Sequence, residues 1–260
     1  MTWVKVGGVW ERLTTIWEKV AGTWQDNVIS YIKVDGVWKR CMPPNPVHDV
    51  LTDLDGNEYG VIEINNQEWI TENLRVTKYA DSTSIPNLTD NSAWSAEDGT
   101  TGHNGSYRWY NNDMATYTDY GPLYNWYATN NSKGLVYFTR GGVHETGWRL
   151  PTNDDFTNLQ TFIYPNCTAK LKEVGLDHWL TPNYGATDKY GFKALPGGYC
   201  NLYGGFNWIR ENGSIWTSTE YDSTNVYYRT IGIYNFAECY SSAIAHKRYG
   251  YSVRCVRDIV

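Results

Sequence analysis

Toward the C-terminus, apolar and polar positions alternate with a period of two. After Val226, Tyr227 and Tyr228, Ile231 and Ile233 share one parity, while Tyr228, Thr230, Gly232 and Tyr234 share the other. Successive side chains of a β-strand point to opposite faces. The pattern therefore predicts a strand with its isoleucines in a core and a row of tyrosines and small residues facing outward. The opening forty residues also predict strands, in a regular form. Lys5-Val6-Gly7-Gly8-Val9-Trp10, Lys19-Val20-Ala21-Gly22-Thr23-Trp24 and Lys33-Val34-Asp35-Gly36-Val37-Trp38 recur at a period of 14, with Trp3, Trp17 and Tyr31 in register ahead of them. Each places x-Gly between β-forming residues, the signature of a two-residue hairpin turn that needs positive φ. Three hairpins of this size cannot bury their aromatic columns alone. They require the following domain or copies from other chains, as in a β-prism or trimer base, or else form a β-meander that caps the next domain.

Residues 42–46, MPPNP, break this regularity and read as a stiff linker. The chain thus divides into hairpin repeats over 1–42, a Pro-rich linker over 43–47 and a larger domain over 48–260. Within that domain, VLTDLDGNEYGVIEINNQEWITENL alternates around an Asp-Gly turn and predicts another hairpin. Residues 80–120 are polar and rich in Gly, Asn and Tyr, so mostly loop. Thr152 is placed to cap a helix, with Asp154 and Asp155 in its first turn and Phe156, Leu159 and Phe162 on its inner face. A second short helix is expected over 169–174. From Tyr190 onward, Gly-rich turns separate short strands. The fold class is α+β, with strand in the majority.

Composition narrows the function. The net charge of -6 argues against nucleic acid or an anionic membrane surface as the main partner. Against 6 Phe stand 22 Tyr and 13 Trp, residues suited to half-buried positions and binding surfaces. The N-terminus lacks the charged-then-apolar pattern of a leader, and no stretch has transmembrane length. Five cysteines without CxxC spacing read as reduced thiols in a protein made in the cytoplasm.

Candidate chemistry is sparse. Asp53-Leu54-Asp55-Gly56-Asn57 resembles the start of a calcium loop, but its Gly comes early and no closing Glu follows, so a β-turn is expected. The histidines His48, His103, His144, His178 and His246 show no paired ligand spacing. Thr217-Ser218-Thr219-Glu220 lacks the setting of a nucleophile elbow. No cofactor is called for, and nothing in these motifs demands an enzyme. The outward parity of the C-terminal strand is different, because rigid tyrosines among small neighbours are what adaptable recognition surfaces use.

The series TDLDGNEYGVIEINNQEWITENLRVTKYADSTSIPNLTDNSAW, YGPLYNWYA, GWRLPT, WTSTE and GYSVRCVRD resembles the Fibrobacter succinogenes major paralogous domain across residues 48–260. The resemblance implies a C-type-lectin-like fold related to the formylglycine-generating group. It also implies kinship with variable proteins of diversity-generating retroelements, and the opening hairpins resemble repeats of phage tail proteins. Relatives often carry Cys-Pro-x-Gly-Trp where this chain has His144-Glu145-Thr146-Gly147-Trp148, so a thiol that would pair with Cys255 is missing. Cys239 and Cys255 are too far apart to copy the catalytic pair of the formylglycine-generating enzymes, and calcium-dependent sugar signatures such as Glu-Pro-Asn are absent.

In retroelement targets, randomised Asn codons exclude Lys, Glu, Gln, Trp and Met. Over residues 221–246 only Glu238 lies outside the accessible set. Alternation and resemblance together select Tyr221, Asp222, Tyr228, Thr230, Gly232, Tyr234, Phe236, Tyr240, Ser242 and His246 as ligand-binding positions, with Trp148, Trp216, Arg229, Ile231 and Val253 as scaffold. The function expected is receptor binding by a phage-tail or displayed adhesin. It would be a homotrimer through its repeats, carried on the virion, with a host-surface protein or glycan as partner. The alternatives are a formylglycine-generating-type enzyme and a structural tail component without a ligand.

Overall fold

The computed structural model describes residues 50–100, 105–233 and 241–259, together with six short strands between residues 3 and 40. The chain divides into two compact units, Met1–Asp49 and Val50–Val260. In the first, β1 (Trp3–Val6) pairs with β2 (Val9–Arg12), β3 (Trp17–Val20) with β4 (Thr23–Asp26), and β5 (Tyr31–Val34) with β6 (Val37–Arg40). All three pairs are antiparallel and share one register: Val6 faces Val9, Val20 faces Thr23 and Val34 faces Val37. The 14-residue sequence repeat is therefore a structural repeat of one hairpin. The Pro-rich segment 43–47 lies outside the described residues.

The second unit is α+β, mostly strand with a few short helices. Its strands are β7 (Val50–Thr52), β8 (Glu58–Ile64), β9 (Gln67–Ile70), β10 (Tyr107–Arg108), β11 (Leu123–Asn125), β12 (Phe138–Arg140), β13 (Val143–Glu145), β14 (Gly197–Cys200), β15 (Phe206–Ile209), β16 (Asn212–Glu220), β17 (Asn225–Gly232), β18 (Ser241–His246), β19 (Gly250–Tyr251) and β20 (Val256–Asp258). The helices are α1 (Asn91–Ala96), α2 (Met114–Tyr117), α3 (Trp126–Thr129), α4 (Asn153–Ile163) and α5 (Cys167–Leu171). One sheet runs β13-β12-β7-β8-β9-β20. The other runs β10-β11-β19-β14-β16-β17-β18, with β15 paired to β14. Among the described residues no helix is long and apolar enough to cross a membrane.

Local chemistry explains the first hairpins. The Asp53 carboxylate accepts from the backbone N–H groups of Asp55 (2.8 Å) and Asn57 (2.9 Å), the Asn57 amide (2.8 Å) and the Tyr59 hydroxyl (2.7 Å). Its oxygens are consumed in closing the β7–β8 turn, the behaviour of Asp in an Asx-turn. Asn65 and Asn66, with φ of 52° and 60°, close the β8–β9 hairpin between the paired Ile64 and Gln67. Asn tolerates this left-handed region better than other side chains.

The GWRLPT stretch is a clasp. Trp148 is buried edge-on to Phe138 and lies under the Arg257 guanidinium. Arg149 exchanges backbone bonds with Val256 and binds Asp155 and Asp258 through its side chain. The Pro151 carbonyl accepts from Ser218 N–H. Thr152 then caps α4 in a reciprocal capping box with Asp155. Trp148, Arg149, Pro151 and Thr152 together tie β12, β16, β20 and α4 to one another.

Three predicted details change. Phe162 is 51% exposed and Ile163 takes the inner position beside Phe156 and Leu159, because positions 156, 159 and 163 follow the i, i+3, i+7 stripe of a helix. The segment 80–120 is less irregular than expected. Asp90 caps α1 through Ala93 N–H and Asp113 caps α2 through Thr116 N–H. The short helix expected over 169–174 forms earlier, as α5.

The largest core lies about Trp216, Tyr124, Trp126, Phe138, Trp148 and Val253; a second, of Trp69, Phe156, Leu159, Trp179, Ile231 and Ile233, lies beneath α4 and α5. Cys200 and Cys255 are free and buried. Cys167 is disulfide-bonded, so the expectation of reduced thiols throughout fails at that position.

Candidate functional site

The sheet β16-β17-β18 has two different faces. On one, Ile231 and Ile233 pack into the core under α4, and Arg229 lies over the Phe156 ring while donating to Asn153 O and Thr157 Oγ1, both at 2.9 Å. On the other, Tyr228 lines an open pocket of about 370 Å³. The scaffold residues Trp148, Trp216, Arg229, Ile231 and Val253 are all buried.

Aromatic rings form most of the pocket wall. Tyr251, only 3% exposed, sits at its centre, stacked on Tyr228 at 4.5 Å between ring centroids and backed by Trp216. Tyr249 and Tyr199 flank it, at 5.8 and 5.9 Å. Trp208, 54% exposed, meets Tyr199 edge-to-face at 5.3 Å and stands at the rim. Asn225, Ile244 and His246 contribute from β17 and β18, and Ser214 from β16. Such offset and edge-on arrangements are those the ring quadrupoles favour.

Backbone constraints set these side chains. Gly250 separates Tyr249 from Tyr251 where a Cβ would meet Trp94, Cys200 and Leu123 within 3.0 to 3.2 Å. The glycine lets β19 lie close to its neighbours, and the period of two turns both tyrosines toward the pocket. Gly198, at φ 64°, allows β15 to approach so closely that a Cβ would lie 2.4 Å from Asn207 O. Trp208 itself is held at φ 60°, in a turn closed by Glu211 N–H to Trp208 O. A bulky residue in the left-handed region is strained, and such strain concentrates at functional positions.

Among the described residues, no Asp, Glu, Lys or Arg lines the pocket. Burial raises the pKa of Tyr199, Tyr228 and, most strongly, Tyr251, so these hydroxyls stay protonated. The Tyr251 and Tyr228 hydroxyls are hydrogen-bonded to each other. Burial, with the nearby Arg248 and Lys247 charges, lowers the His246 pKa against the opposing influence of Asp222. His246 Nδ1 accepts from Arg248 N–H at 3.1 Å, which leaves the ring proton of the neutral form on Nε2. The two neighbouring cations are engaged elsewhere: Lys247 on Glu220 at 2.8 Å and over Trp126, Arg248 on Ser95 O.

Of the positions selected from sequence, Tyr228 and His246 line this pocket. Thr230 shares the pocket parity, opposite Ser214, and is half-buried. Gly232 is buried opposite Asn212. Asp222 shapes the β16–β17 turn, accepting from Thr224 N–H, Asn225 N–H and the Asn225 amide. Tyr221 packs edge-on against Tyr227, and Ser242 binds Asn153 Oδ1 at 3.0 Å. By register, Tyr227, Ser242 and the pair Asn225–His246 belong to the face opposite Tyr228. Asn225 and His246, at the ends of their strands, still line the pocket, but the selected residues do not all gather on one surface. Tyr234, Phe236 and Tyr240 lie outside the described residues. Sequence reasoning missed Tyr199, Trp208, Asn225, Tyr249 and Tyr251. A usable signal existed for two of them, the Tyr-Gly-Tyr spacing at 249–251.

Among the described residues no group of three or more His, Cys, Asp or Glu side chains could hold a metal ion. Comparison with curated proteins and with solved structures yields no match. The sequence model of the Fibrobacter succinogenes major domain matches residues 62–257, most of the chain and every strand that lines the pocket, and the chain belongs to that family.

Proposed function

We propose that this chain is a ligand-binding protein, a receptor-binding adhesin of the phage-tail or displayed kind, and that the aromatic pocket beside β17 and β18 is its binding site. The observation that carries this reading is the convergence of Trp208, Tyr199, Tyr228, Tyr249 and Tyr251 on one open cavity backed by a packed sheet. Rigid aromatic anchors on a preformed wall bind with little ordering cost. In this reading the domain is C-type-lectin-like, and positions of residues 221–246 vary under a diversity-generating retroelement. The hairpin repeats attach or trimerise the chain on a virion, where several copies strengthen a weak single contact.

The enzymatic alternative is disfavoured by its thiols. Burial raises the Cys255 thiol far above its ordinary range and the Cys200 thiol to about 11, whereas reactive cysteines need a lowered value and access. The test is adsorption of the purified chain to bacterial cells from the community that carries its gene. Tyr228→Ala is expected to weaken adsorption about tenfold or more, the loss typical of an interface anchor. Unchanged adsorption would favour a structural tail component instead.

A further inference from the structure

The chemistry of the pocket identifies the class of ligand, on the reading that this pocket is the binding site. Its wall carries aromatic faces and hydroxyls, and among the described residues no carboxylate, lysine or arginine lines it. A phosphate or carboxylate ligand would require a cation. The nearest two, Lys247 and Arg248, are bound to Glu220 and to the Ser95 carbonyl. A cationic ligand would gain from a lining carboxylate. Asp222, the acid acting on His246, spends its oxygens on the backbone of Thr224 and Asn225 and on the Asn225 amide.

The remaining polar groups are complementary to each other. Asn225 and His246 are direct partners across β17 and β18. Because the Asn225 amide nitrogen is committed to Asp222, the residue offers its oxygen as an acceptor. Because His246 Nδ1 is committed to Arg248 N–H, it offers Nε2–H as a donor. An acceptor beside a donor matches two adjacent hydroxyls, one donating and one accepting. Trp208 at the rim supplies an exposed apolar ring, supported edge-on by Tyr199.

We infer that the pocket takes a neutral sugar ring, stacked on Trp208, with a vicinal diol bridging Asn225 and His246, and that it does so without a metal ion. The strained φ of Trp208 is then the cost of presenting that indole at the rim.

Trp208→Asn tests this, because Asn tolerates the left-handed conformation and removes only the ring. Native chain and variant would be applied to a printed array of neutral and acidic oligosaccharides with chelator present, and to bacterial cells before and after periodate, which cleaves vicinal diols. Thermal melting of the variant should match or exceed that of the native chain. Expected are binding of neutral glycans in chelator, loss of cell binding after periodate, and a loss of about tenfold in Trp208→Asn. Preference for acidic glycans, or dependence on a divalent ion, would overturn the inference. So would cell binding that resists periodate but is still weakened by Trp208→Asn, and in that case the pocket would remain the binding site for a different ligand. Binding insensitive to Trp208→Asn would overturn both the inference and the site.

Discussion

The two faces of β17 differ in what they do with their polar atoms. On the α4 face Arg229 is buried, yet its guanidinium donates to Asn153 and Thr157 of the helix and sits over the Phe156 ring. Ser242 is satisfied by Asn153, and Ile231 and Ile233 close the layer. Around the pocket the rings of Tyr228, Tyr199 and Tyr249 remain half-buried, and Asn225 and His246, the end pair of β17 and β18, each keep one hydrogen-bonding atom outside their bonds to Asp222 and Arg248. Buried polar groups must find partners within the protein. A face that leaves hydroxyls and ring edges accessible is arranged for a partner from outside. One strand thus serves stability through Arg229 and Ile231 and contact through Tyr228 and its first residue, Asn225.

The largest expected effect that breaks this contrast is Ile231→Ala. Removing a buried branched side chain beneath α4 costs about 3 kcal/mol by lost transfer energy and a residual cavity. Urea unfolding should show that loss, while the affinity of the fraction that remains folded stays unchanged.

An acid titration sharpens the same face. Burial alone would raise the Asp155 carboxyl, but Arg149, the Thr152 backbone and Gln67 hold it at about 2, against 3.8 for the free group. A depressed native pKa means that the unfolded chain binds the proton first as pH falls. The stabilisation, about 2 kcal/mol, is therefore complete above about pH 4 and lost as pH drops through about 2. The melting temperatures of Asp155→Asn and the native chain should differ most near neutrality and converge toward the acid end.

Tyr228→Phe probes the pocket face and carries the smallest effect on folding. It removes the hydroxyl that is hydrogen-bonded to Tyr251, at about 1 kcal/mol. A chemical melt should register that small loss, with a larger proportional loss in adsorption.

Much of the framework was legible because it is local. The capping box at Thr152 and Asp155, the Asp53 turn, the repeated hairpins and the parity of Ile231 each depend on residues a few positions apart. The short helices α1 and α2 were not legible, since they run only six and four residues, α1 buries only Trp94 and α2 buries none of its side chains, so neither carries an apolar stripe. The pocket was half legible for a topological reason. Tyr228 announces itself by alternation, but Tyr199 reaches it only because β14 runs parallel to β16, and Tyr251 only because β19 inserts between β11 and β14. Register between distant strands is not written in either strand alone. Trp208 escaped notice because its importance lies in an unusual φ, which no composition or periodicity reveals.

A saturation scan of residues 225–232 and 242–246, sorted once for folded display and once for binding to bacterial cells, tests the division of labour most directly. The account predicts a split between core and pocket: substitutions at Arg229 and Ile231 reduce display and binding together, whereas those at Asn225, Tyr228 and His246 leave display near native and abolish binding. Loss of binding that follows loss of display at every position would contradict it.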